Sequence, residues 1–259
     1  MKKAILLDMD GTLTPPRKII EDDMIAQLNS MLADDWELGI VSGSHIGYMD
    51  EQLSAWKPWK ENHPRVHKYP VNGTSQLIMK SEYSSFEWDW LIHDIKAADH
   101  RMRCSLGGGY IRIPESILDF RGSSINWCPI GRDASDKERK RFIGLDIAFD
   151  LRVKFMNELK TRPIFHDKTV IKLGGQTSFD IFPRGWDKSY VFKNYKGFEK
   201  IYFIGDRCGP MGNDREGFIR AGNYGIQTLG PFDTIRILSK ILRESACENQ
   251  VSPSLATPT

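Results

Sequence analysis

The stretch LLDMDGTLT, residues 6–14, constrains the fold more than any other part of the chain. An apolar run ends in Asp8 and Asp10, one residue apart, and the chain then turns at Gly11. Carboxylates are poor strand formers and costly to bury. Two of them at the end of a buried strand imply a ligand that compensates their charge. In open α/β sheets, ligands bind beyond the carboxyl ends of the strands. Two further runs end the same way. Glu37–Val41, ELGIV, leads into Ser42-Gly43-Ser44, and Lys200–Ile204, KIYFI, leads into Gly205-Asp206.

The order of elements supports a parallel sheet. A strand at Ala4–Leu7 precedes a helix at Glu21–Leu32, whose apolar residues Met24, Ile25, Leu28, Met31 and Leu32 follow helical spacing. The strand at Glu37–Val41 and a helix at Ile46–Leu53 follow. Such alternation predicts an α/β core. Trp56–Pro70, with its prolines, reads as a loop, and Asn72-Gly73 as a turn.

The middle of the chain has a different pattern. A helix is expected at Phe86–Ala98, with Phe86, Trp90, Leu91, Ile95 and Ala98 on one face. YIRI, SINWCPI, TVIKL and SFDIFP read as strands, and Gly107–Gly109 as a turn. Ser135 and Glu138 form a capping box that opens a helix, and Arg152–Leu159 reads as another. The α/β pattern then returns, through Gly225–Leu229 to a final helix at Asp233–Leu242. The expected architecture is a Rossmann-like parallel-sheet core interrupted by an inserted α+β cap, an antiparallel sheet with helices. Residues 1–80 and 187–245 would form the core, 81–186 the cap, and 246–259 a disordered polar tail.

Composition narrows the function classes. At 259 residues the chain can bury substantial cores, and its formal charge of +2 suggests neither a nucleic-acid nor a membrane partner. No apolar run approaches the roughly 20 residues of a membrane span. The N-terminal MKKAILL is too short for a secretory signal. Cys104, Cys128, Cys208 and Cys247 are scattered, as expected of reduced thiols in a cytoplasmic protein.

If the three strand ends are neighbours, Asp8, Asp10, Asp206 and Ser42 converge. Mg²⁺ would neutralise the carboxylates and keep positions free for phosphate oxygens. One aspartate of the DxD pair can serve as a nucleophile and the other as a general acid/base. Lys188, in GWDKSY, is the candidate cation for a phosphoryl group.

Asp8-x-Asp10-Gly11-Thr12, then Ser42, Lys188 and Gly205-Asp206 with Asn213-Asp214, resemble in order the motifs of the haloacid-dehalogenase-like phosphohydrolases. The resemblance implies that Asp8 is phosphorylated and that Asp10 protonates the leaving group. It implies Mg²⁺ held by Asp8, the backbone of Asp10, Asp206 and Asp214, with Ser42 and Lys188 on the phosphoryl oxygens. The insert occupies the position of a C2-type cap. FRGSSINWCPIGR, DKERKRF, GGQTSFDIFPRGWDK and GDRCGPMGND further resemble the eukaryotic-type phosphomannomutases, from Leu6 to about Ile237.

That family implies interconversion of mannose 6-phosphate and mannose 1-phosphate, with a sugar 1,6-bisphosphate activator and a homodimer formed through the cap. By match to it, Arg17, Arg121, Asn126, Arg132, Arg139, Ser178 and Asp180 bind the hexose phosphate. Arg139 also lies one turn after the capping serine, near a helix N-terminus that favours anions. Taken without the match, Ser178 and Asp180 alternate on a strand, a pattern that equally suits a polar face turned to water. Two positions depart from the family. Ser42 stands where it usually has glycine, as ordinary phosphohydrolases have Ser or Thr, and Pro70-Val71-Asn72-Gly73 replaces Pro-Glu-Asn-Gly. A Mg²⁺-dependent sugar-phosphate phosphatase is therefore the alternative. A non-catalytic sugar-phosphate binder would be expected to have lost Asp8 or Asp10, and both are present.

Overall fold

The computed structural model describes residues 2–107, 109 and 111–251. The chain starts with β1 (Lys3–Asp8), α1 (Asp22–Ala33), β2 (Glu37–Val41), α2 (Ile46–Gln52), a short α3 (Lys57–Lys60) and β3 (Val66–Tyr69). The insert follows as α4 (Ser85–Ser105), β4 (Leu118–Phe120), β5 (Ile125–Trp127), α5 (Asp136–Phe149), α6 (Leu151–Lys160), α7 (Pro163–Asp167), β6 (Thr169–Gly174) and β7 (Ser178–Pro183). The chain then returns through β8 (Lys200–Gly205), α8 (Arg215–Ala221), β9 (Gly225–Gln227) and α9 (Pro231–Val251).

The first and last parts share a five-stranded sheet of order β3-β2-β1-β8-β9. Every pairing in it is parallel, and β1 is the central strand. Ala4 to Leu7 are wholly buried, as a strand covered on both faces requires. The register pairs Asp8 with Val41 and Leu7 with Ile204. The carboxyl ends of β2, β1 and β8 therefore lie side by side, which brings Ser42, Asp8 and Asp206 to one edge. On one side of the sheet, Met24, Leu28 and Met31 of α1 pack in a core with Leu238 and Ile241 of α9.

The insert builds a second, antiparallel sheet of order β4-β5-β7-β6 with its own core. Trp127 stacks on Phe179 with ring centroids 4.1 Å apart, and its indole N–H donates to Asp99 Oδ1 at 3.0 Å. Helix α5 begins at the expected capping box, Ser135 with Glu138. Helix α4 opens on a second one, Ser84 with Glu87, an S-x-x-E signature that the periodicity reading passed over.

Several elements differ from the sequence reading. The expected loop Trp56–Pro70 contains α3 and the edge strand β3, too short to show periodicity. YIRI is not a strand: Tyr110 lies outside the described residues, and Ile111–Ile113 is irregular, ahead of Pro114. The edge strand β4 instead forms at Leu118–Phe120. Phe86 and Trp90 are 71% and 50% exposed, so of the expected apolar face only Leu91, Ile95 and Ala98 enter the cap core, with Trp88 packed against it. The expected tail at 246–259 is helical as far as Val251. Nothing breaks the helix before Pro253, and Ser245 anchors it by accepting from Lys3 Nζ and donating to Asp34. Residues 252–259 lie outside the described residues.

Trp127→Ala should cost about 3–5 kcal/mol, by loss of buried aromatic area and an orphaned Asp99 acceptor. A urea titration should show a lower midpoint. An unchanged midpoint would contradict the packing described for the cap.

Candidate active site

Two close approaches of glycine set the carboxylates. Gly11 adopts φ +90°, and a Cβ there would lie 2.6 Å from Asp206 Oδ2. A Cβ on Gly205 would lie 2.6 Å from Asp214 Cγ. With both side chains absent, Asp8, Asp206 and Asp214 each place a carboxylate oxygen within 4.8 Å of the others. Asp214 is held by the backbone N–H of Arg207, which donates to its Oδ2 at 2.9 Å. Thr12 Oγ1 donates to Asp8 Oδ2 at 3.3 Å.

Lys188 enters this group from the start of the returning chain. Its side chain is fully buried, and its ammonium pairs with Asp8 and, at 2.6 Å, with Asp214. Burial opposes that charge, but Asp214 and Asp8 outweigh it and hold the ammonium well above the ordinary lysine range. Burial and the neighbouring Asp214 push the Asp8 carboxyl up against the pull of Lys188. Burial and Asp214 push Asp206 up to about 6. Three like charges against one ammonium make a donor set suited to a hard divalent cation with oxygen ligands. No other such group of three occurs among the described residues.

The Asp10 carboxylate is outside that group. Its Oδ1 accepts from the Arg17 backbone N–H at 3.1 Å and from Gln52 Nε2 at 3.2 Å. Gln52 is itself fixed by Thr14 Oγ1 at 2.7 Å. Asp10 thus faces the cleft as a separately held carboxylate. Ser42 is buried at the β2 end, and its Oγ accepts from the Ser44 N–H at 3.1 Å. The Pro70–Gly73 turn supports this loop. Val71 and Asn72, with φ of 49° and 60°, donate backbone N–H groups to the carbonyls of Ser44 and Ser42.

The cap forms the facing wall of a cavity of about 200 Å³ that Asp8, Asp10, Ser42 and Asp206 also line. Arg121 donates through Nε to Asp119 at 3.0 Å and through Nη1 to the Gly43 carbonyl at 2.7 Å. Its buried Nη2 has no partner among the described residues, nor does Nη1 of Arg139. Burial and Arg121 depress the Arg132 guanidinium; burial and Arg17 depress Arg139. These cations repel one another and hold unused donors, the condition an anion relieves. Asn126 donates to Asp180 Oδ1 at 2.8 Å, and its own Oδ1 is unpartnered. Ser178 and Asp180 face this cleft, so the polar side of β7 is buried rather than turned to water.

The structure therefore brings every residue named from the sequence to this region. Arg17, Arg121, Asn126, Arg132, Arg139, Ser178 and Asp180 line the cavity, while Lys188 and Asp214 are buried behind its carboxylate wall. Sequence reasoning missed Tyr48, whose ring lies 5.8 Å from the Arg132 guanidinium, and Gln52 and Arg207. Tyr48 and Gln52 carry no motif; Arg207 adjoins one and could have been found there.

A parallel core with aspartates at its strand ends and an antiparallel cap defines a haloacid-dehalogenase-type fold. The Plasmodium falciparum IMP-nucleotidase structure with bound IMP superimposes with a TM-score of 0.64 over 93% of this chain and 68% of that one, at 14% identity, a likeness of fold alone. Residues 24–244 match the profile of the eukaryotic phosphomannomutases, and the chain belongs to that family. It is 33% identical to the phosphomannomutase of Saccharomyces cerevisiae, over 92% of this chain and 93% of that protein. It is also 33% identical to human phosphomannomutase 1, over 89% and 88%.

The raised Asp206 value has a pH signature. Between its unfolded value of 3.8 and about 6, the folded metal-free protein keeps a proton that the unfolded chain has released. Metal-free stability should therefore fall as pH rises through that window, and Mg²⁺ should restore it. The Mg²⁺-induced rise in Tm should be larger near pH 7 than near pH 5. An equal rise at both would count against the three-carboxylate site.

Proposed function

We propose that this chain interconverts mannose 6-phosphate and mannose 1-phosphate through a phosphoryl group carried on Asp8. Family membership supports the reading. The observation that carries it is the pair of unpartnered, buried guanidinium donors, on Arg121 and Arg139, in the cavity that the carboxylates also line. A mutase must hold a sugar with phosphate at either end, and these donors suit the end that is not reacting.

In this reading the phosphoryl group on Asp8 passes first to the free hydroxyl of the sugar monophosphate, whose proton goes to Asp10. A carboxylate oxygen of Asp8 then attacks the other phosphorus of the bisphosphate so formed, and Asp10 returns the proton to the departing sugar oxygen. A sugar 1,6-bisphosphate is the species between the two transfers and, added in trace, the activator. Lys188 and the Ser42 hydroxyl hold phosphoryl oxygens. Asp8, Asp206 and Asp214, with the Asp10 backbone, would hold Mg²⁺. When bound, Mg²⁺ would neutralise charge on the transferring group. Arg121, Arg132 and Arg139 take the distal phosphate, Arg17 binds the substrate beside the nucleophile loop, and Asn126, Ser178 and Asp180 take the sugar and its phosphate.

A sugar phosphatase is the second reading, favoured by Ser42 at a position where the family usually has glycine. No helix among the described residues is long and apolar enough to cross a membrane. The four free cysteines fit a reducing, cytoplasmic setting. We infer a homodimer through the cap, to which the exposed Phe86 and Trp90, beside Pro163 and Ile164, would contribute apolar contact.

Phosphorus NMR tests the function directly. With Mg²⁺, mannose 1-phosphate and a trace of glucose 1,6-bisphosphate, mannose 6-phosphate should grow without free phosphate. Inorganic phosphate alone would establish the phosphatase instead. Asp8→Asn should abolish either activity. Arg139→Ala should raise KM roughly tenfold or more, the loss expected for a hydrogen bond to a charged partner. An unchanged KM would remove Arg139 from the distal site.

A further inference from the structure

Each half of the molecule extends an arginine across the cleft to a glycine carbonyl of the other half. From the cap, Arg121 donates to Gly43, next to Ser42, at 2.7 Å. From the core, Arg207 donates through Nη1 to Gly175, in the β6–β7 turn, at 2.5 Å. The first arginine belongs to the expected substrate set. The second has no role in the reading above.

The attachments of Arg207 are specific. Its backbone N–H holds Asp214, and its Nε lies 3.7 Å from Asp206 Oδ2. It is thus fixed to two of the three clustered carboxylates before it reaches the cap. The Gly175 carbonyl is fixed from the other side. Arg152, buried in the cap, donates through Nη1 to the carbonyls of Gly175 at 3.1 Å and of Gly174 and Ser178 at 3.4 Å. Asp146 neutralises Arg152, accepting from its Nε at 2.6 Å. The turn so held carries Gln176, Thr177 and Ser178 to the cavity. Beside it, Lys172 of β6 pairs with Glu216 of α8 at 2.8 Å, and Leu173 bridges to Gly212. Arg207 keeps about a third of its side chain exposed. A half-wet bond at the cleft rim can open and close; a buried one would lock the site.

We propose that Arg207 is a positioning residue that latches the cap turn to the carboxylate cluster and so decides which acceptor meets the phosphoryl group on Asp8. The proposal rests on the mutase reading. With the cap latched, a sugar hydroxyl oxygen forms the new bond to phosphorus, the bond to the Asp8 oxygen breaks, and the hydroxyl proton passes to Asp10. With the cap open, water supplies the attacking oxygen by the same exchange. Its proton also passes to Asp10, and free phosphate leaves.

The test compares wild type, Arg207→Ala and Arg207→Lys. Phosphorus NMR gives inorganic phosphate released per mannose 6-phosphate formed. Amide deuterium exchange over Gly175–Ser178 is followed with Mg²⁺ and beryllofluoride present. Arg207→Ala should raise the phosphate ratio about tenfold, as expected for one lost hydrogen bond from a charged donor, and speed exchange at the turn. Arg207→Lys, which keeps a charged donor, should recover part of both. A purely structural role would slow the two outcomes together and leave their ratio alone. A ratio and an exchange rate in Arg207→Ala equal to those of wild type would overturn the latch. Release of phosphate alone by wild type would overturn the mutase reading, and the exchange comparison would still decide for or against the latch.

Discussion

The site depends on one buried ammonium. Lys188 ties Asp8, at the end of the central strand, to Asp214, beyond β8, and it does so at the point where the chain re-enters the core from the cap. Taking it out of water is costly, and only two carboxylates in direct contact offset that cost. The same contact keeps two of three crowded carboxylates from simply repelling. Truncating Lys188 would leave Asp8 and Asp214 buried and unbalanced, so its structural and chemical parts cannot be separated by one substitution.

Around that contact the charges are unevenly shared between the walls. The core contributes the clustered carboxylates, with Arg17 and Arg207 beside them, because parallel strands deliver their ends to one edge. The cap contributes Arg121, Arg132 and Arg139, with Asp180 among them, because its antiparallel sheet and the start of α5 turn toward that edge. A substrate with a phosphate on one side and hydroxyls on the other is matched to such a cleft. The unused donors on Arg121 and Arg139 are the clearest sign that the protein alone does not satisfy the cap wall.

Much of this was legible in sequence, for physical reasons. Strands buried on both faces are continuous apolar runs, so β1, β2 and β8 stand out, and the acids at the ends of β1 and β8, with Ser42 after β2, mark the site. Capping-box chemistry fixed the start of α5 at Ser135; the same S-x-x-E pattern at Ser84 was available and unused. The positions that escaped are those set by tertiary contact. β3 and β4 are edge strands of four and three residues, too short for a period. Gln52 sits on a helix and gains its role only because Asp10 and Thr14 meet it in space. The burial of Ser178 and Asp180 follows from what covers β7, and no alternation pattern distinguishes water from a cleft. Ser245 of α9 is held by Lys3 and Asp34, from the opposite end of the chain, a contact that no local pattern shows.

The insertion has a consequence for how the protein is made. β1 pairs with β8, with Lys3 opposite Lys200, and the whole cap lies between them in sequence. On the ribosome, β1 emerges early and must wait, with Asp8 at its end, while the cap is synthesised. The cap is contiguous and can close its hairpin at Gly174–Ser178 locally. Its completion shortens the effective loop that β8 must close to reach β1. The cap can therefore reach its fold before the core sheet is complete. The Lys188 contact joins the first strand to the last third of the chain, so it waits on both.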